Sequence, residues 1–288
     1  MSKTSPIVYR GRTALVTGAS AGIGAAFARG LAARGADVVL VARRESRLRA
    51  LAEELELLHG VRATVVAADL SDPDAPAAVR RATDAAGVEV GILVNNAGFG
   101  TFGYYDTIDP AEDSRQVMVN VHAMVGLTHE YLPGMVAAGS GVVINISSIA
   151  ALQPIPHMAV YGASKSFILS FSEALWVENR DRGVAVAGIC AGATDTEFFD
   201  VVGNSEEVLF GRKVPPSRVV DIALQTVERG RGSVVVGTRN RVTGLAPRLF
   251  PRGLVARISG SVTRPRNPVG PAADESVPAP DPATAASS

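Results

Sequence analysis

Short apolar runs of about five residues alternate along this chain with longer stretches in which apolar residues recur every three or four positions. Runs that stop abruptly at glycine or a polar residue read as buried parallel strands, and the helical recurrence reads as amphipathic helix. The pattern predicts strands at 13–17, 37–42, 63–67, 92–94, 142–146, 184–189 and 233–236. Helices are predicted from the end of the glycine-rich stretch to Gly35, over 45–59, from near Pro73, from Pro110 to about Ala138, from before Tyr161 to about Arg182, and over 216–229. This alternation specifies an α/β fold, a doubly wound parallel sheet of about seven strands with right-handed crossovers and helices on both faces.

Beyond that repeating unit (1–237) the pattern changes twice. Residues 238–263 form a C-terminal extension in which Val242 to Val262 is hydrophobic, with Arg248, Arg252 and Arg257 spaced through it and Pro247 and Pro251 breaking it. Two short helices that cover the domain or form a subunit contact are the preferred reading, and a membrane-surface helix is the alternative. From 264 to 288 the chain is rich in Pro, Ala and Ser without periodicity, which predicts a disordered tail.

Composition narrows the setting. The 288 residues have a formal net charge of zero, so nothing global calls for a nucleic-acid partner. Cys190 is the only cysteine, which excludes an internal disulfide and fits a reducing cytoplasm. No apolar run with a cleavage site opens the chain and no stretch of about 18 apolar residues occurs, so neither a signal peptide nor a transmembrane helix is expected.

Candidate chemistry sits where predicted strands end. After the first strand comes Gly18-Ala19-Ser20-Ala21-Gly22-Ile23-Gly24 and then a helix. Glycines let a pyrophosphate approach the backbone, and a helix N-terminus offers free N–H groups and a partial positive charge. A glycine-rich turn without a phosphate is the bland alternative. The second strand ends in Ala42, Arg43 and Arg44, where an NAD-preferring fold places an acid. Guanidinium forks suit a phosphate monoester, so these arginines predict NADP, with NADPH preferred over NADH; two solvated arginines at a helix start are the other reading. Asp69 follows the third strand, placed either to bond an adenine edge or to cap the next helix. Asn95-Asn96-Ala97-Gly98 closes the fourth strand, and Ser147 and Ser148 follow the fifth.

Tyr161 and Lys165 lie four residues apart, on one face of a predicted helix, with only small residues between them. A free phenol has a pKa of about 10, and moving it to about 7 takes roughly 4 kcal/mol of stabilisation of the phenolate. A neighbouring ammonium acts in that direction. Only three of the 28 basic residues are Lys, so a lysine here departs from the chain's habit of using arginine. An accidental surface pair is the bland reading.

Together these residues resemble the classical short-chain dehydrogenase/reductase family, over about residues 11–236. Thr17-Gly18-x-x-x-Gly22-x-Gly24 is similar to that family's cofactor loop and Asn95-Asn96-Ala97-Gly98 to its central-strand motif. Ser148, Tyr161 and Lys165 resemble its catalytic set, with Asn120 in the position of the fourth member. The resemblance implies a Rossmann-type, NAD(P)-dependent carbonyl reductase or alcohol dehydrogenase. It implies that Ser148 orients the carbonyl oxygen, that Tyr161 exchanges a proton with it, and that Lys165 lowers the tyrosine pKa and binds the nicotinamide ribose. Asn120 would hold a helix kink and a water linking Lys165 to solvent. The implied cofactor contacts are Gly18, Ser20, Gly22, Ile23, Gly24, Arg43, Arg44, Asp69, Leu70, Asn96, Ala97, Gly98, Tyr161, Lys165, Gly192, Thr194 and Thr196. The family usually has Pro-Gly after the sixth strand. Ala191-Gly192 departs from this, so a looser loop is expected with cofactor binding preserved.

A non-catalytic NADP-binding regulator of the same fold is the competing reading, and retention of all four catalytic positions argues against it. Phe99, Phe102, Tyr104, Tyr105, Phe198, Phe199 and Phe210 are candidates to line an apolar pocket for a bulky hydrophobic carbonyl or alcohol, or else to pack on one another. Resemblance also implies a homodimer or homotetramer built on the helices that hold Asn120 and Tyr161.

Overall fold

A computed structural model describes residues 7–197 and 213–264. The 198–212 segment, with the pocket candidates Phe198, Phe199 and Phe210, and the tail beyond 264 lie outside these described residues. All seven predicted strands form, and they join one parallel sheet. In chain order the elements are β1 (Thr13–Thr17), α1 (Gly22–Ala32), β2 (Asp37–Ala42), α2 (Glu45–His59), β3 (Ala63–Ala67), α3 (Ala75–Ala85) and β4 (Val90–Asn95). They continue with α4 (Pro110–Val117), α5 (Ala123–Ala137), β5 (Gly141–Ser148), α6 (Ala159–Asn179), β6 (Val184–Ala191), α7 (Pro216–Glu228), β7 (Ser233–Val235), α8 (Thr238–Leu245) and α9 (Arg252–Val262).

The strand order is β3-β2-β1-β4-β5-β6-β7, so the direction of winding reverses between β1 and β4. In such sheets the crevice outside the carboxyl ends of the strands at that reversal binds ligands. Strand period two sorts the side chains into two layers. Ala14, Val16, Val38, Leu40, Ile92, Val94, Val142 and Ile144 face α1, α2 and α7, where Phe27, Leu31, Leu48, Leu55 and Leu224 are fully buried. Leu15, Val39, Val41, Leu93 and Val143 face the opposite layer of α3, α5 and α6, with Val79, Leu127 and Tyr131. Burial on both faces explains why these strands read as unbroken apolar runs.

Two elements differ from the sequence expectation in ways that matter for the site. The single helix expected from 110 to 138 is two helices joined by a π-turn over Met118–His122. Pro133 lies inside α5, away from this break; the widened turn carries Asn120, whose side chain is bonded to other segments on both sides. Strands β5 and β6 also run further than their apolar cores. Ser147 and Ser148 pair in register with Cys190 and Ala191, so the ladder carries polar residues to the ligand end of the sheet.

Candidate active site

A cavity of about 630 Å3 opens along the carboxyl ends of the strands. At one end the loop after β1 turns into α1, with Gly18, Ser20, Gly22 and Ile23 in the cavity wall. A side chain on Gly24 would collide with the Gly18 carbonyl and come within 2.6 Å of the Asn96 amide, so the helix start can pack this closely only without one. The N-cap residue Ala21 offers no side-chain cap and the first turn of α1 has no acid, which leaves its N–H groups available to an anion. This cradle fits a pyrophosphate.

Arg43 and Arg44 stand at the end of β2 beside that loop, and no carboxylate takes the place of an NAD-type acid. Arg44 donates from Nε and Nη2 to Ser20 Oγ at 3.2 and 3.1 Å and from Nη1 to Glu197 Oε2 at 2.8 Å. Arg47 donates to the other oxygen of Glu197 at 2.6 Å. The two guanidinium bonds, from Arg47 and from Arg44, hold the Glu197 carboxyl below its ordinary pKa. Asp69 and Leu70 line the cavity next to Arg43. Asp69 does not cap α3, whose N-cap is Asp74. It accepts instead from Ser71 N at 3.0 Å and Ser71 Oγ at 2.8 Å. Burial acts to raise its pKa, but the Ser71 bonds and the nearby Arg43 and Arg115 bring it below the ordinary value.

The end of β4 is fastened to β1 rather than left open. Thr17 Oγ1 accepts from the backbone N–H groups of Asn96 and Ala97 at 2.9 and 3.0 Å, and the Asn96 side chain donates to Thr17 O at 2.8 Å. Asn96 thus fixes the loop that carries Gly18, while Asn96, Ala97 and Gly98 all line the cavity. Behind it, a buried relay that the sequence reading missed runs from Asn95 to Asn145 Oδ1 at 2.9 Å and from Asn145 to Ser172 Oγ at 2.9 Å. It ties β4, β5 and α6 together.

The four expected catalytic residues converge from three elements. Ser148 ends β5, Tyr161 and Lys165 project from α6, and Asn120 sits in the π-turn. Ser148, Tyr161 and Lys165 line the cavity, whereas Asn120 stands behind its wall. Asn120 Nδ2 donates to Phe99 O at 2.9 Å and to Ser164 Oγ at 3.0 Å, and its Oδ1 accepts from Phe99 N at 3.1 Å. It therefore joins the loop after β4 to α6 between Tyr161 and Lys165. Lys165 Nζ donates to Ile146 O at 3.0 Å and lies 5.7 Å from the centre of the Tyr161 ring.

Both ionisable groups are buried, and in the protein alone burial works against the lowered tyrosine pKa expected with a neighbouring ammonium and a bound cationic ring. Burial pushes the Tyr161 phenol up to about 12, and the hydrogen bond with Ser148 acts downward. Burial also pushes the Lys165 ammonium down to about 8. In the protein alone, desolvation outweighs the attraction of the lysine for the phenolate.

The loop after β6 brings Gly192, Thr194 and Thr196 to the cavity. Without the family's proline it is pinned another way. Thr194 bridges to Val214, with Asp195 N donating to Val214 O at 3.1 Å and Val214 N to Ala193 O at 3.0 Å. Ala191 itself completes β6 and is buried.

Beyond Tyr161 the cavity is walled by Leu152, Ile155, Met158 and Ile149, with Gly244 of α8 closing it. Of the described aromatics proposed for this pocket, only Phe99 lines it, held under the Arg115 guanidinium at 5.3 Å. Phe102 packs behind Ile155, Met158 and Tyr161, Tyr104 meets the His157 ring edge-on at 4.8 Å, and Tyr105 is exposed. The wall is aliphatic because the non-helical segment around Pro154 and Pro156 folds inward just before α6. Two prolines followed by apolar residues ahead of Tyr161 were the available signal. Arg47 and Glu197 carried none, since they meet across 150 residues of sequence.

Known proteins agree with this arrangement. The short chain dehydrogenase family profile matches residues 12–207. A 7beta-hydroxysteroid dehydrogenase of Collinsella aerofaciens is 34% identical over 236 residues, covering 80% of this chain and 88% of that protein. Among solved structures, a 7beta-hydroxysteroid dehydrogenase superposes with a TM-score of 0.78 at 32% identity, covering 88% of this chain and 98% of the other. A short-chain dehydrogenase from Sphingobium yanoikuyae in complex with NADPH gives a TM-score of 0.74 at 32% identity, over 89% and 96%. With strand order, glycine cradle and buried Tyr161–Lys165 pair in place, the chain belongs to the short-chain dehydrogenase/reductase family and is a nicotinamide-dependent oxidoreductase.

Proposed function

We propose that the protein is an NADP-preferring carbonyl reductase, or the reverse alcohol dehydrogenase, acting on a bulky apolar substrate. One observation carries the reading: a single cavity runs from the Arg43–Arg44 pair to the Tyr161–Ser148 pair and ends in an aliphatic wall. The glycine cradle would hold the pyrophosphate and Arg43 and Arg44 the 2′-phosphate. The nicotinamide, when bound, supplies or accepts the hydride. Ser148 hydrogen-bonds the substrate oxygen, and the Tyr161 hydroxyl donates a proton to it in reduction and takes one back in oxidation. Lys165 holds a positive charge beside the phenol, and Asn120 positions Tyr161 and Lys165 through Ser164 and the Phe99 backbone.

Leu152, Ile155 and Met158 favour a large apolar ketone over a small polar one, in keeping with relatives named for hydroxysteroids. A homo-oligomer is supported by the outer face of α4 to α6, where Val117, Phe167 and Val177 are exposed and Phe167 stacks on Phe171 at 5.9 Å. The test is fluorescence titration with NADPH and NADH, followed by turnover of ketones of increasing apolar size, including a steroid ketone. Tighter NADPH binding and kcat/KM rising along the series are expected; equal affinities or a flat series would refute the respective half of the proposal.

A further inference from the structure

From Arg229 to Ala273 the chain has nine arginines and not one aspartate, glutamate or lysine. Because the whole chain is neutral, the preceding 228 residues and the tail carry the compensating negative charge. Such segregation marks a surface that meets an anionic partner. The last described helix lies within this segment. Val255 and Ser259 of α9 are buried, Thr263 Oγ1 donates to Pro156 O at 3.0 Å, and a side chain on Gly260 would touch Pro156. The helix is thus anchored on the proline segment whose next residues, Ile155 and Met158, wall the substrate end of the cavity.

Its other side is apolar and open. Leu254, Ile258 and Val262 recur every four residues, and Leu249 and Phe250 precede them; the five are between 45% and 83% exposed. Arg252 and Arg257 are exposed on the same helix. No helix among the described residues is long and apolar enough to cross a membrane.

We propose that 249–262 docks the protein on an anionic lipid surface, the apolar stripe entering the interface and the arginines meeting lipid phosphates. Charge selects this occupant. A second copy seated on the same face would bring arginine against arginine, the segment from Arg229 to Ala273 having no acid to pair them, and nucleic acid offers nothing to the aliphatic stripe. Docking there sets the substrate end of the cavity close to the bilayer, from which an apolar ketone would enter.

Co-sedimentation of the full chain with vesicles tests the proposal without cofactor or substrate, so its outcome is independent of the proposed activity. The protein is expected to pellet with phosphatidylcholine vesicles containing about one-third phosphatidylglycerol, to release as salt rises, and to stay in solution with pure phosphatidylcholine. Leu254→Glu with Ile258→Glu, both at exposed positions, should lower partitioning by about tenfold or more. Arg252→Gln with Arg257→Gln should weaken it on anionic vesicles while leaving the apolar stripe intact. Failure of the native chain to pellet, or equal pelleting of both variants, overturns the proposal. So does a Leu254→Glu, Ile258→Glu protein that changes from dimer to monomer with its vesicle binding unaltered, since the face would then be a contact between copies.

Discussion

Replacing Arg43 and Arg44 together by Ala should separate the two nicotinamide cofactors. A hydrogen bond to a charged group contributes about 1.5–3 kcal/mol when shielded, and exposed ion pairs fall to about 1 kcal/mol or less. Both arginines are exposed, and Arg44 already binds Glu197 at 2.8 Å, so part of its charge is committed before a phosphate arrives. Two weakened contacts to a 2′-phosphate then amount to about 2–3 kcal/mol, or roughly 30- to 150-fold in affinity. NADH lacks that phosphate, and its dissociation constant should move by about threefold at most, through the lost Arg44–Ser20 bonds. Fluorescence titration of both cofactors at low and at about 0.5 M salt measures this, with the difference shrinking at high salt because the site is exposed. Equal losses for NADPH and NADH would refute the assignment of these arginines to the phosphate.

Glu197→Gln removes the anion shared by Arg44 and Arg47, and NADPH should bind about three- to tenfold tighter; an unchanged affinity would mean that Glu197 does not compete with the phosphate. Tyr161→Phe should lower kcat by a factor of about 100 or more with NADPH affinity within about twofold, and retained turnover in single-turnover kinetics would exclude Tyr161 as proton donor. A methyl on Gly98 would lie 2.9 Å from Asn120 Oδ1 and 3.2 Å from Lys165 Nζ, so Gly98→Ala should cut kcat by about tenfold and stability by about 1–3 kcal/mol, checked by kinetics and urea unfolding. Lys165 has its pKa lowered from 10.5 to about 8, so below pH 8 the folded protein carries a buried charge and stability rises as pH increases above it, where the unfolded chain binds more protons. Lys165→Met should therefore abolish activity yet stabilise the fold at pH 7 by about 1–3 kcal/mol and flatten the rise between about pH 8 and 10; destabilisation at pH 7 would show that the Lys165–Ile146 bond outweighs burial.

How far this could be read in the sequence depended on whether the cause was local. Strands β1 to β3 match their predicted limits because apolar runs end where pairing ends. Strands β5 and β6 overran theirs because Ser147 and Ser148 are held by ladder partners, which no local pattern records. The cofactor loop and the Tyr161–Lys165 spacing were legible as motifs, since backbone geometry demands those residues at those intervals. The π-turn left no local pattern, and only the resemblance implied a kink at Asn120, because its widened turn is fastened by Phe99 and Ser164, 21 and 44 residues away from Asn120. Aromatic residues near the site suggested a pocket lining, but Phe102 and Tyr104 found partners in Met158 and His157, and the aliphatic Leu152, Ile155 and Met158 took their place.

The buried pair also bears on the direction of chemistry. With the phenol near 12 and the ammonium near 8, the protein by itself keeps Tyr161 protonated across the neutral range. A protonated phenol can give a proton to a carbonyl oxygen at once, so reduction starts from the state the fold already holds. Oxidation needs the phenolate, and about five pKa units separate 12 from neutral pH, a gap of about 7 kcal/mol at 1.36 kcal/mol per unit. The hydrogen bond with Ser148 acts to narrow it before cofactor binds. The remainder would have to come from the positive charge of an oxidised nicotinamide and from Lys165 while it keeps its proton, below about pH 8. On the proposed assignment, then, the same burial that makes the tyrosine an acid for reduction makes the reverse reaction depend on the cofactor's charge. Ser148→Ala, by removing that downward pull on the phenol, should move the pH profile of kcat for oxidation to higher pH, and a profile left in place would contradict this account of the site.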